Sequence, residues 1–245
     1  MSESTHKLVS RFEAALDQEQ FDLKEINDGN AVHLTYLGLC RINEAKALHS
    51  FFIEKDLIKA KQYFYLYGKV KEYICKTYEE AIRPGMAQDV TYSMLSDSNE
   101  LIESFTEWTY QGYESMIKKG VQKRILQLIL AKKEKEAHDL LEVFFEKHKK
   151  YRYKETDGLI LKALITKDKE LLEEQLNFLL LPKNHRIRSR PWVATKELIS
   201  IQVLGHAKLA YIRGMELDID HPLLPKELLP IKPNEEYEKT YDFLL

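Results

Sequence analysis

The stretch "ALITKDKELLEEQL", residues 163–176, has the features of a turn between two helices. Apolar residues end the first helix, and Lys167 and Asp168 form a short polar break. Glu170 follows in the first turn of the next helix, where an acidic residue suits the helix dipole and the unpaired backbone amides. The stretch therefore predicts a helical hairpin.

Three other junctions have the same arrangement: "FFIEKDLIKAKQYF" at 51–64, "SMLSDSNELIESF" at 93–105 and "LILAKKEKEAHDLL" at 128–141. With Asp56, Asp97, Lys133 and Asp168 as markers, the junctions are 41, 36 and 35 residues apart. These separations are close to the period of stacked helix-pair repeats. We therefore predict an all-α fold of stacked helical hairpins, similar to tetratricopeptide repeats but degenerate.

Apolar residues recur at helical spacing along most of the chain, and no convincing alternating strand appears. The predicted helices beyond the first cover 30–52, 56–81, 86–95, 98–109, 113–131, 134–148, 157–166, 168–181 and 192–213. After them the chain should be irregular and form a strap that closes the helical array. We predict one helical domain over residues 1–245.

The chain carries 37 basic and 39 acidic residues, so no overall field attracts nucleic acid or an anionic membrane. Cys40 and Cys75 each lie in an apolar helical pattern, which favours buried free thiols. The N-terminus lacks the layout of a secretion signal, and no apolar run approaches the roughly 18 residues that span a bilayer. These features predict a cytoplasmic protein without a membrane partner.

The usual catalytic spacings are missing from the sequence: it has no GxSxG elbow, Gly-rich phosphate loop, HExxH helix or paired CxxC. We therefore expect no catalytic, cofactor-binding or metal-binding residues and no enzyme activity.

The segment "DIDHPLLPKELLP", residues 218–230, raises the question of a metal site because it contains Asp218, Asp220 and His221. A hard cation normally needs six or more oxygen ligands, which this segment does not supply. Pro222 and Pro225 fix their own backbone and extend the residues before them. The segment then predicts a rigid strap that lays four leucines across a groove: Leu223, Leu224, Leu228 and Leu229.

Two groups of side chains are candidate partner contacts. Tyr63, Tyr65 and Tyr67 lie on one predicted helix and do not share one face, so some hydroxyls should be exposed. Asp97, Glu100, Glu103 and Glu107 recur at spacings of three or four and form an acidic helix face. The tyrosines could equally border the core, and the acids could equally face only solvent.

Two basic runs, "KHKKYRYK" at 147–154 and "PKNHRIRSRP" at 182–191, support an alternative function. The first mixes tyrosines with lysines, a composition able to contact phosphates and stack on bases, although it also suits a solvated helix end. The second lies between two predicted helices, and its Arg186, Arg188 and Arg190 could bind carboxylates of a partner or form a plain polar loop. The alternatives are a nucleic-acid-binding helical protein and a peptide-binding adaptor.

The second half of the chain contains "LILKALITKDKELLEEQLNFLL", followed by "ELISIQVLGHAKLAYIRGMELDIDHPLLPKELL". This order of an alanine-leucine helix, an aspartate turn, a helix closing in "LAYIRG" and an acidic "DIDHPLLP" resembles the bacterial immunity protein 49 family. The resemblance is strongest over residues 155–230. Gly205, Gly214, Asp218, Pro222 and Pro225 match the family pattern as fold positions.

The resemblance implies a helical protein that binds a cognate bacterial toxin and blocks it, with no catalysis of its own. We therefore predict a toxin-neutralising immunity protein with a protein toxin as partner, nucleases being one class of target. Such complexes combine aromatic anchors with complementary charge, as the tyrosines and the acidic face would provide. The resemblance implies no specific binding residue, and the oligomeric state stays open.

Overall fold

A computed structural model describes residues 3–78, 89–107, 121–190 and 195–245. These residues form eleven α-helices and no strand. The prediction of an all-α fold is therefore confirmed, and short turns join most neighbouring helices, as stacked hairpins require.

The helices are α1 (Glu3–Asn27), α2 (His33–His49), α3 (Leu57–Tyr78), α4 (Asp89–Leu95), α5 (Asn99–Glu107), α6 (Gln122–Leu130), α7 (Glu134–His148), α8 (Arg152–Thr166), α9 (Lys169–Leu180), α10 (Pro182–Arg188) and α11 (Ile201–Ile212). The predicted bounds of α7 and α9 agree with these to within a residue. Parts of the predicted helices lie outside the described part of the chain: residues 79–81, 86–88, 108–109, 113–120 and 192–194.

Two predicted helix starts and one predicted loop differ from the structure among the described residues. Helix α8 begins at Arg152 instead of residue 157, and α11 begins at Ile201, since residues 195–198 form a turn and 199–200 are irregular. The basic run 182–191 is mostly a helix, α10, and not a loop. Pro182 explains this helix, since its fixed backbone angle and missing amide hydrogen suit a first helical position.

Three hairpin turns share one backbone conformation. Lys55, Lys132 and Lys167 have positive φ angles of 60, 58 and 56°, and each lies two residues before the first residue of the next helix. In two of the turns an aspartate caps that helix: the Asp56 carboxylate accepts from the Lys59 amide at 2.9 Å, and Asp168 from the Leu171 amide at 3.0 Å. The hairpins predicted from these junctions are therefore present.

Helix α11 is at the centre of the second half of the chain. Its residues from Val203 to Ala210 are all buried, as expected of a helix that is apolar on every side. It packs against α4, α8 and α9. The crossing with α4 is close at Gly205, where an added Cβ would lie 2.1 Å from the Thr91 Oγ1 atom.

The C-terminal residues run over the helices as predicted. In the strap, residues 213–230, Leu224, Leu228 and Leu229 are buried and Leu223 packs against the core. The tail, residues 231–245, then crosses α3, where the Tyr237 ring stacks on Tyr65 with centroids 4.7 Å apart. One hydrophobic cluster extends from Leu8 to Tyr241. This cluster is compatible with a single domain, which stays a prediction.

Both cysteines, Cys40 and Cys75, are buried free thiols, as predicted. No helix in the described ranges is long and apolar enough to cross a membrane.

Candidate functional site

A buried charge cluster joins four parts of the fold. Asp97, in the turn between α4 and α5, has no exposed side-chain surface and forms ion pairs with Lys61 of α3, at 2.7 Å, and with Lys208 of α11. Its carboxylate also accepts from the Lys232 amide of the tail, at 3.2 Å. The cluster fixes α3, α11 and the tail around the α4–α5 turn.

Lys208 also holds the strap directly. Its ammonium group donates to the carbonyl oxygens of Leu228, Leu229 and Pro230 at 2.9–3.1 Å. Burial lowers the pKa of Lys208 to about 8, and the attraction of Asp97 opposes this shift only in part. The Lys208 side chain therefore stabilises the fold, and its ammonium hydrogens have acceptors within the chain.

A second polar cluster anchors the end of the tail. The Tyr241 hydroxyl donates to Glu19 of α1 at 2.8 Å and accepts from the Asn43 side chain of α2 at 2.8 Å. Glu19 is also paired with Lys46 of α2, whose ammonium lies 5.5 Å from the centre of the Tyr63 ring. Burial, and then the Glu19 charge, raise the pKa of Tyr241, so its hydroxyl keeps its proton.

Beside this cluster lies an open groove of about 710 Å³ between α1, α3 and the tail, which we call the tail groove. Its lining includes Glu19, Ile58, Gln62, Tyr63, Glu236 and Glu238. Ile58 is one of the exposed apolar residues of the chain, with 71% of its surface accessible. The groove therefore combines an exposed apolar contact with charged walls.

Side chains of α3 and of the tail fix the wall of the tail groove. The Gln62 amide donates to the Glu238 carbonyl at 2.7 Å and accepts from the Glu238 amide at 3.1 Å. The Asn234 side chain donates to the Ile58 carbonyl at 2.9 Å. These bonds hold the backbone of the tail, including that of Glu238, along the helix.

The predicted tyrosine anchors lie in different places. Tyr63 is half-buried and lines the tail groove, where burial raises the pKa of its hydroxyl. Tyr65 and Tyr67 are each only 2% exposed, because the first stacks on Tyr237 and the second packs edge-on against Tyr92. Surface contacts through Tyr65 and Tyr67 therefore do not fit this structure.

The predicted acidic face is also divided. Asp97 is in the buried cluster and cannot form part of a surface, since the chain turns inward there. Glu100, Glu103 and Glu107 are exposed on α5, and Glu100 contacts Lys69 at 3.1 Å. Three of the four predicted carboxylates thus remain accessible to a partner.

The three predicted arginines are on or beside α10. Arg186 and Arg190 are exposed, whereas Arg188 is partly buried and pairs with Asp157 of α8 at 2.5 Å. Lys154, from the other basic run, also pairs with Asp157, at 3.3 Å. One carboxylate therefore neutralises part of each basic run, which weakens both as a continuous phosphate-binding strip.

The acids of the strap contact lysines. Asp218 pairs with Lys169 at 2.7 Å, and Asp220 with Lys226 at 3.3 Å. Within the described residues, no group of three or more histidine, cysteine, aspartate or glutamate side chains is placed to hold a metal ion. A second open groove, of about 680 Å³, lies between this strap and Phe51 and Phe52 of the short π-helical segment Ser50–Glu54 that follows α2; we call it the strap groove.

In a comparison with known families, the family model described as Immunity protein 49 matches residues 79–228. The chain belongs to the immunity protein 49 family. The matched region contains α4 to α11 and the strap as far as residue 228, including Asp97 and Lys208 of the buried cluster. No curated protein and no solved structure matches the chain.

The family match extends further toward the N-terminus than the resemblance over 155–230 predicted. Helices α1 to α3 and the tail lie outside it. These flanking helices and the tail pack together and form the tail groove.

Proposed function

We propose that this chain neutralises a cognate bacterial toxin by binding it and covering its active surface. The observation that carries the proposal is the match of residues 79–228 to a family of immunity proteins. The mechanism needs no cofactor and no catalysis by this chain, because a bound inhibitor blocks access by its volume alone.

The packing of the chain supports inhibition by a preformed surface. The two buried polar clusters tie the strap and the tail to α1, α2, α3 and α11. A surface that is already ordered loses little conformational entropy on binding, which favours high affinity. The neutralising complex would then form without refolding of the immunity protein.

The class of toxin that suits the exposed carboxylates is one with a basic substrate-binding surface, as nucleases have. Glu100, Glu103 and Glu107 of α5 are accessible, and opposite charge accelerates association and excludes wrong partners. We propose that neutralisation takes place in the cytoplasm, where such a toxin would reach its substrate.

The proposal is tested by affinity capture of the tagged chain from its own cells at moderate salt, with a nuclease-treated control. Each captured polypeptide is then expressed alone and together with the chain. We expect one polypeptide that arrests growth alone and whose arrest the chain relieves. Recovery of nucleic acid alone, lost as salt rises, would instead support the nucleic-acid alternative. Capture of peptides with no toxic activity would support the adaptor alternative.

A further inference from the structure

The tail groove is built entirely from residues outside the family match. Its lining residues all precede residue 79 or follow residue 228. An immunity protein must distinguish one toxin from others. The tail groove is an open surface on the helices and tail that flank the family match, so it is a candidate for contacts that are specific to one toxin.

The tail groove has an excess of negative charge. Four carboxylates line it, from Glu19, Asp56, Glu236 and Glu238, against the ammonium groups of Lys46 and Lys59. Both lysines are already in ion pairs, Lys46 with Glu19 and Lys59 with Glu54.

Glu236 and Glu238 are exposed and, within the described part of the chain, pair with no basic side chain. The groove therefore offers two free carboxylates to a basic group of a partner.

An apolar contact lies beside these carboxylates. Ile58 is 71% exposed, and the half-buried Tyr63 ring, five residues further along the same helix, also lines the groove. Apolar and aromatic side chains at the centre of a groove are typical anchors of protein interfaces. The bonds from Gln62 and Asn234 keep the tail in place, so the contact is ready before a partner arrives.

The strap groove is a weaker candidate. Its charged lining is balanced, with Lys55 and Lys226 against Asp220 and Glu227, and Lys226 and Asp220 already pair with each other. Nothing in it selects one class of partner.

We propose that the tail groove is the toxin-binding surface, and that it receives a segment of the toxin in which a lysine or arginine lies next to an apolar side chain. The basic group pairs with Glu236 and Glu238, and the apolar group packs on Ile58 and Tyr63. This assignment rests on the proposed function, since the partner is the toxin that the chain neutralises.

The test uses the full-length chain and the polypeptide whose growth arrest it relieves. Ile58→Arg places a charge on the apolar contact, and Glu236→Lys with Glu238→Lys reverses the free carboxylates. The matched controls lie on α7, which packs against α6 and α8 and is distant from the groove in the fold. They are Val143→Arg, at a site 41% exposed, and Asp139→Lys with Glu142→Lys, at two exposed acids.

We expect Ile58→Arg to weaken toxin binding about 30-fold or more, as at an interface anchor, and to abolish growth rescue. The charge-reversal pair should slow association about 10-fold or more. The controls should stay within about twofold of the wild type, as surface substitutions usually do. Circular dichroism of each variant checks that the fold is retained, which the exposure of all six substituted sites favours.

The two proposals fail differently. Wild-type rescue with undiminished rescue by both groove variants would show that the groove is not the toxin-binding surface, while the proposed function would stand. Absence of rescue by the wild type with every captured polypeptide would contradict the proposed function and the groove assignment with it.

Discussion

Lys208 in the centre of α11 forms an ion pair with Asp97 in the α4–α5 turn, and neither side chain has any exposed surface. Lys61 contacts the same carboxylate at 2.7 Å, so one buried aspartate pairs with two buried lysines. Breaking such a cluster leaves a buried charge without compensation, and this cost exceeds the value of most surface pairs.

Asp97→Asn should lower the free energy of unfolding by about 3–5 kcal/mol, the usual cost of removing one partner of a buried pair. Asparagine keeps the size of the side chain and tolerates the positive φ of 61° at this position, so the change isolates the charge. Urea unfolding measures the difference. Asp220→Asn, at an exposed ion pair, is the control and should change stability by less than about 0.5 kcal/mol.

The free energy of unfolding should rise with pH, and part of this rise should come from the titration of Lys208. Burial lowers its pKa in the folded chain to about 8 from a usual value of 10.5. Between these two pH values the unfolded chain holds more protons at this site than the folded chain, so the free energy of unfolding increases with pH. The gain in the free energy of unfolding that comes from this lowered pKa is complete above pH 10.5, and it is lost as the pH falls through about 8.

The measurement compares the wild type with Lys208→Met in urea at pH 7.5, 8.5 and 9.5. The free energy of unfolding of the wild type should increase relative to that of the Lys208→Met variant as the pH rises. The comparison removes the effect of other lysines and of tyrosines that titrate nearby, since these are common to both. Parallel pH dependences would contradict a lowered pKa at Lys208.

Tyr241→Phe should lower the free energy of unfolding by about 1–3 kcal/mol, because it leaves Asn43 and Glu19 without the hydroxyl that joins them. Tyr151→Phe is the control, since Tyr151 is 52% exposed. Hydrogen exchange should show earlier loss of protection in the tail and in α1 of the Tyr241 variant. An unchanged midpoint of unfolding would mean that water replaces the hydroxyl at no cost.

The helices and their turns could be predicted from the sequence because they depend on neighbours along the chain. The spacing of apolar residues located α7 and α9 to within a residue, and Asp56 and Asp168 marked helix starts that they do cap. Prolines 222 and 225 indicated a strap, and three of its four predicted leucines, Leu224, Leu228 and Leu229, are buried.

The buried clusters could not be predicted in this way, because their members come from distant parts of the chain. Asp97 has the local pattern of an exposed helix start, and only its contacts with Lys61 and Lys208 show why it is buried. One signal was present: Lys208 interrupts an otherwise apolar helix, and a lysine there needs an internal partner. The tail groove gave no signal, since Glu19, Ile58 and Glu238 meet only in the folded chain.

Gly205→Ala should destabilise the chain, although alanine normally favours a helix over glycine by up to about 1 kcal/mol. The new Cβ would lie 2.1 Å from the Thr91 Oγ1 atom and 3.2 Å from its Cβ, so α4 and α11 would have to separate. Forced repacking of this kind costs about 1–3 kcal/mol. Thr91→Ala in the same chain removes the nearest atom and should recover part of the loss, because the two sites are in contact. Additive effects of the two substitutions would contradict the close crossing.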